Sequence, residues 1–373
     1  MNINRIISVF LLVFSIPLIF NGCFNYNDIN NVTFSTSIIF DIDDLEQAIV
    51  YLDCIKPYRS ANESSDKGRR IIYKGIGKSV PDALSDVARV SSYKLDFSQT
   101  RAYIFTEKAA RNGIKRFLDL INSNEEFQLK PNAFIYYGDV QELLKTTSSD
   151  EEYLGLYLND LVVKNRKHPK ALNSNINFYL SNSLLGSNTM LLTSISLKED
   201  ALDKKVEIEG ASILKDNLLV DKIRIEDSLT YNLMMSTVFG GVLDVANPQM
   251  NNSFVTLDIK SSNVKNTLIK ENDTYILNKD IYIEASIADI QGDLILDSEV
   301  LEYIKVNKEA YINGYGEYLY NLYKEKGLDI FNVSRLIESN YPNDEVVNPI
   351  KKTKIKVNTN IDIIGGGSVK NSL

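Results

Sequence analysis

Two cysteines, one histidine and no tryptophan occur in the 373 residues. Cys23 and Cys54 are too few for a disulfide scaffold or a thiolate metal site. His168 alone leaves little for histidine-based catalysis or metal binding. Basic residues are outnumbered, 41 against 49 acidic, for a formal net charge of -8. A general nucleic-acid binder needs a basic face for the phosphates, so that class is excluded. No Gly-rich phosphate loop opens a helix in a βαβ unit, and no Gly-x-Ser-x-Gly elbow occurs. The acidic pairs Asp43-Asp44, Glu125-Glu126 and Asp150-Glu151-Glu152 are expected by chance among so many carboxylates. The chemistry needed for an active site is missing, so no catalytic, cofactor-binding or metal-binding residue is assigned.

Only one long apolar stretch is present, from Ile6 to Phe20, with Arg5 before it. It is short for a bilayer span, which needs about 20 residues, and suits the h-region of a signal peptide. It ends in Phe20-Asn21-Gly22-Cys23, which resembles the lipobox of bacterial lipoproteins. That resemblance implies a diacylglyceryl group on the Cys23 thiol, cleavage before Cys23, and a lipidated new N-terminus. Gly22 is the small residue the peptidase needs; Phe20 and Asn21 depart from the usual Leu and Ala/Ser. Two acyl chains, at about 0.8 kcal/mol per buried CH₂, suffice to anchor a protein.

The whole chain is 44% hydrophobic, enough to build a core, and the part after Cys23 reads as α+β. Phe34–Phe40 and Gln47–Ile55 read as strands around an Asp41–Asp44 turn. Cys54 there suits a small buried side chain better than a reactive thiol. A strand at Arg69–Gly77 precedes a helix opened by Pro81. Ala102–Phe105 and Ala133–Tyr137 read as strands, with one helix carrying Ala110, Ile114, Phe117 and Ile121 between them. Asp139 caps the next helix. Lys164–Lys170, which holds His168, reads as a basic surface loop. Further on, Asp216-Asn217 turns a hairpin. A helix at Glu226–Thr237 precedes a meander of short strands: 242–245, 254–260, 266–270, 274–277 and 281–289. Ser298 is expected to cap a long helix that ends at Gly327. Gly314 and Gly316 inside it imply a kink or close packing against another element. Lys354–Ile363 alternates as a half-buried strand, and 365–373 is a tail.

The order of these segments resembles the Ger(x)C family, the lipoprotein subunit of spore germinant receptors. The resemblance is carried by Cys23-Phe24-Asn25-Tyr26-Asn27-Asp28-Ile29-Asn30, by Thr106–Ile114, by the Gly210–Val220 hairpin, and by Gly314-Tyr315-Gly316-Glu317. It implies three mixed domains with mainly antiparallel sheets after a cleaved lipoprotein signal peptide. The division is 1–22 signal peptide, 23–33 lipidated tether, 34–170, 171–255 and 256–373. It further implies a non-enzymatic subunit on the outer face of the spore inner membrane, beside integral membrane receptor subunits. It assigns no ligand to this subunit, and Cys23 is the one residue whose role carries over. An extracytoplasmic solute-binding lipoprotein is the alternative, disfavoured because repeated βαβ patterns are not seen.

Overall fold

The computed structural model describes residues 31–56, 69–146, 151–165, 175–183, 186–201, 203–235 and 238–364. Cys23, the tether up to Asn30, His168 and the 365–373 tail lie outside them. The chain is α+β, built on two mixed sheets.

The first sheet begins with β1 (Val32–Ile42), β2 (Ala48–Lys56) and β3 (Arg69–Gly77), a meander of antiparallel pairs. Helix α1 (Val80–Val90) follows, with Ser79 accepting from the Asp82 N–H and Pro81 in the first turn. A short β4 (Lys94–Asp96) then pairs with the start of β1. Beyond it, β5 (Ala102–Thr106), β6 (Asn132–Tyr137) and β7 (Thr189–Asp200) run parallel to β1. Parallel neighbours need crossovers. Helices α2 (Glu107–Asn112) and α3 (Lys115–Ser123) supply the first. Helices α4 (Val140–Lys145), α5 (Leu154–Asn165) and α6 (Ile176–Ser183) supply the second. The single helix expected through Ala110–Ile121 is two, because Gly113 breaks it with φ +117°. The sheet closes with the antiparallel β8 (Asp203–Lys215) and β9 (Leu218–Ile223). Asp216 and Asn217 both take positive φ in that hairpin, as a type I′ turn requires.

Both faces of this sheet are covered. Phe40, Tyr103 and Phe105 pack with Phe117 of α3 on one face. Ile39, Ile104, Phe134 and Tyr136 pack with Leu143 of α4 and Leu158 of α5 on the other.

Helix α7 (Ile225–Met235) leads to the second sheet, β10 (Val242–Ala246), β11 (Phe254–Glu271), β12 (Thr274–Ile290) and β13 (Thr353–Ile363), in that order. The four short strands expected between 254 and 289 are one long hairpin. Its register shifts at Thr256/Leu257 and Ile259/Ser261 absorb the polar stretch that reads as a turn. Helix α8 (Ser298–Lys326) and α9 (Val333–Asn340) complete this part. Asp297, not Ser298, caps α8 by accepting from the Val300 N–H, and Gly327 ends it in the left-handed conformation.

Strand pairing runs across the expected 170/171 boundary, since β6 pairs with β7. The expected 255/256 boundary lies inside β11. Ala211, Ile213 and Ile223 of the first sheet share a core with α7, α8 and the second sheet.

The two glycines in α8 differ. A Cβ on Gly316 would meet Met234 Sδ at 3.0 Å and Val357 at 3.5 Å, whereas one on Gly314 would meet nothing within 4 Å. Close packing therefore explains Gly316 alone. Gly316→Leu is expected to destabilise the fold by about 1–3 kcal/mol through overpacking. Gly314→Ala is expected to stabilise it by about 0.5–1 kcal/mol through helix propensity. Thermal melts of the two variants check this; a shift of the same sign in both counts against it.

Candidate functional site

The carboxylate pairs legible in the sequence do not converge. Asp43 accepts the N–H groups of Leu45 at 2.9 Å and Gln47 at 2.8 Å, closing the β1–β2 turn, and Asp44 pairs with Lys108. Glu151 accepts the Tyr153 N–H ahead of α5, and Glu125 and Glu126 are exposed after α3. Asp150 lies outside the described residues. Cys54 is fully buried, and burial, followed by the Asp53 charge, pushes its thiol far above the ordinary range. The thiolate is the nucleophile, so this sulfur is inert. Among the described residues no group of three or more His, Cys, Asp or Glu side chains could hold a metal. An open cleft at the α4 C-terminus is lined by Glu142, Lys145, Thr146, Asp203 and Lys204. Small-molecule pockets are lined mostly by hydrophobic and aromatic side chains, and none of these five is one.

The polar groups that are buried act as clamps between elements. Asp53, with a fully buried side chain on β2, accepts Arg70 Nε of β3 at 2.8 Å and the Leu154 N–H of α5 at 2.7 Å. One carboxylate thus joins two strands to the N-terminus of a helix, where negative charge is favoured. Burial, the largest effect, pushes its carboxyl upward against the pull of Arg70.

Lys279 is a second clamp. The residues of β12 alternate Tyr275, Leu277, Lys279, Ile281, Ile283 on the inward face, and Lys279 is as buried as the rest. Its Nζ donates to the Met234 carbonyl at 2.7 Å and to Asn266 Oδ1 at 3.0 Å, holding the end of α7 against the hairpin. Burial lowers its pKa to about 8, with Asp329 opposing weakly. Between pH 8 and the unfolded value of 10.5 the unfolded chain holds the proton and the folded one does not. Stability therefore rises with pH in that window. Relative to Lys279→Met, the native chain is expected to gain about 3 kcal/mol of unfolding free energy from pH 8 to pH 10.5. Urea titrations at several pH values test this, and parallel curves for the two proteins would refute it.

The third arrangement accounts for Gly316 and Glu317 of the Gly314–Glu317 motif. β13 is an edge strand, and edges present unpaired N–H groups that invite another chain. Helix α8 lies along it. Glu317 accepts the Val357 N–H at 3.2 Å, and Glu309, two turns earlier, accepts the Ile361 N–H at 2.7 Å. Gly316 brings the helix close enough for this. An edge of the first sheet repeats the device, with Asp86 of α1 accepting the Ile76 N–H of β3. Neither Asp53 nor Glu309 was legible as functional in the sequence; a lone lysine on the apolar phase of β12 was the available signal for Lys279.

The buried polar groups described above fasten elements of the fold together, and no catalytic constellation is found among the described residues. Comparison with known proteins gives the family. Residues 25–197 match the spore germination protein N-terminal domain, and residues 209–367 match the spore germination B3/GerAC-like C-terminal domain. The chain belongs to this spore germination family and is a non-enzymatic germinant-receptor subunit. "Spore germination protein GerQC" of Bacillus cereus is 22% identical over 290 residues, 78% of either chain. The fold is similar to that of the solved GerBC protein, with a TM-score of 0.53 at 15% identity, covering 88% of this chain and 96% of that one.

Proposed function

We propose that this chain is the lipid-anchored subunit of a nutrient germinant receptor, tethered through Cys23 to the outer face of the spore inner membrane beside integral membrane subunits. The observation that carries the reading is collinearity: the family match begins at residue 25, two residues after the lipobox-like cysteine. No helix among the described residues is long and apolar enough to cross a membrane. The subunit's part in germination is to hold a folded α+β module against its membrane partners.

Two linked measurements test this. Cells fed labelled fatty acid are expected to label the native protein and not Cys23→Ala. Deletion of the gene is expected to abolish or slow germination with at least one single nutrient. Label persisting on Cys23→Ala rejects the anchor, and unchanged germination with every nutrient in a strain lacking other receptors rejects the function.

A further inference from the structure

The end of the first sheet where β1 starts differs in charge from its far end. At the far end the β1–β2 turn holds Asp41, Asp43, Asp44 and Glu46 within six residues. At the near end Lys94 lies opposite Val32 on β4, and Lys56 ends β2 one residue beyond the Phe34↔Ile55 pair. Arg101 stands at the start of β5, its N–H donating to the Thr36 carbonyl. None of Lys56, Lys94 and Arg101 pairs with a carboxylate among the described residues. Arg70, on the neighbouring strand, is neutralised by Asp53. Apolar and aromatic groups accompany the cations. Tyr93 accepts a hydrogen bond from Lys56 Nζ at 2.6 Å, and Val90 at the end of α1 is 68% exposed. The acidic groups nearby are occupied: Asp86 by Arg89 and Asp96 by the Ser98 N–H. Glu125 and Glu126 stand at this same end, since the adjacent Phe127 stacks on Phe97 and Gln128 Nε2 donates to the Ser98 carbonyl; the cations are therefore grouped on the β1, β2 and β4 side of it.

We propose that this end of the sheet rests on an anionic lipid surface. The proposal depends on the reading of Cys23 as the lipidated residue. Asn31 stands eight positions after Cys23, and an extended chain over those eight steps spans at most about 29 Å. The membrane therefore lies within that reach of Lys56 and Lys94, whereas the acidic turn is a further ten residues of strand away, about 33 Å. In a chain of net charge -8, a local cluster of cations beside the tether turns the molecule with its acidic end outward. A tyrosine, an exposed valine and lysines that can extend past them suit the headgroup layer. Acyl anchors are commonly reinforced by basic residues in this way.

The test uses the mature full-length chain carrying Cys23→Ser, so that no lipid contributes. It is sedimented with vesicles of phosphatidylcholine alone or mixed with phosphatidylglycerol. Binding is expected to favour the anionic vesicles and to fall as salt is raised. Each basic residue near the surface is worth about fivefold in binding. The triple variant Lys56→Gln, Lys94→Gln, Arg101→Gln is then expected to lose on the order of 100-fold. The matched triple Lys265→Gln, Lys354→Gln, Lys356→Gln on the second sheet is expected to change little. Lys94→Gln and Arg101→Gln alone, both at exposed positions, keep the test open should the triple fail to fold. Equal binding to both vesicles, or equal losses in the two triples, overturns the proposal. Labelled Cys23 without an anionic preference removes this patch alone. An anionic preference with no label on Cys23 removes the anchor and leaves the patch.

Discussion

Asp53→Ala is expected to cost the fold about 3–5 kcal/mol, the penalty for breaking a buried ion pair by removing one partner. The cost arises from what is left behind. Arg70 keeps a side chain only 9% exposed, and its Nη2 already has no partner. Arginine cannot give up its charge to escape burial. The Leu154 N–H at the start of α5 also loses its acceptor. The reverse substitution, Arg70→Met, is expected to cost less, because burial already pushes the Asp53 carboxyl toward its neutral form. Its cost should shrink further as the pH is lowered and Asp53 takes up a proton. The double variant Asp53→Leu, Arg70→Met removes both charges and is expected to be less damaging than Asp53→Ala. Urea denaturation of the four proteins at neutral and acidic pH measures this. A double variant as damaged as the sum of its parts would contradict the account.

Gly155→Ala is the second large effect, at about 3 kcal/mol. Helix α5 packs on β1 at Thr36, where the register with β2 shifts between Ser35 and Ser37. A Cβ on Gly155 would stand 1.9 Å from the Thr36 carbonyl oxygen and 2.9 Å from the Ser37 nitrogen. Both are backbone atoms, with no rotamer to move aside. The helix must withdraw, which also pulls the Leu154 N–H from Asp53. A drop in melting temperature of about 4 °C is expected from that loss in a chain of this length. Gly314→Ala, in the open face of α8, serves as the control that changes the same residue types without a clash. A Gly155→Ala protein that melts with the native one would show that α5 does not sit on β1.

These two sites show where the sequence stops being readable. Asp53 reads as an ordinary residue of a strand, because its partners stand 17 and 101 positions away. Lys279 breaks the apolar rhythm of β12, so one strand reads as two. Helix α5 and strand β7 are not legible in the sequence, and without β7 the first sheet cannot be followed past β6. The parallel order β1-β5-β6-β7 in turn disappeared behind an expectation of mainly antiparallel pairing. Antiparallel pairing does hold at both flanks of that sheet and through β10, β11 and β12.

What the sequence determined by itself is local or collinear. Pro81 opens α1, Asp139 caps α4, Gly327 ends α8, and Asp216-Asn217 turns a hairpin, because each acts within a few residues of itself. The family was also legible, since the order of motifs survives without knowledge of their contacts. Only the tertiary structure decided which strands are neighbours, that Gly316 is packed while Gly314 is open, and that Glu317 guards the edge of β13. Those outcomes depend on contacts between residues far apart in the chain, whose signs are set by burial and close approach rather than by any neighbour in sequence.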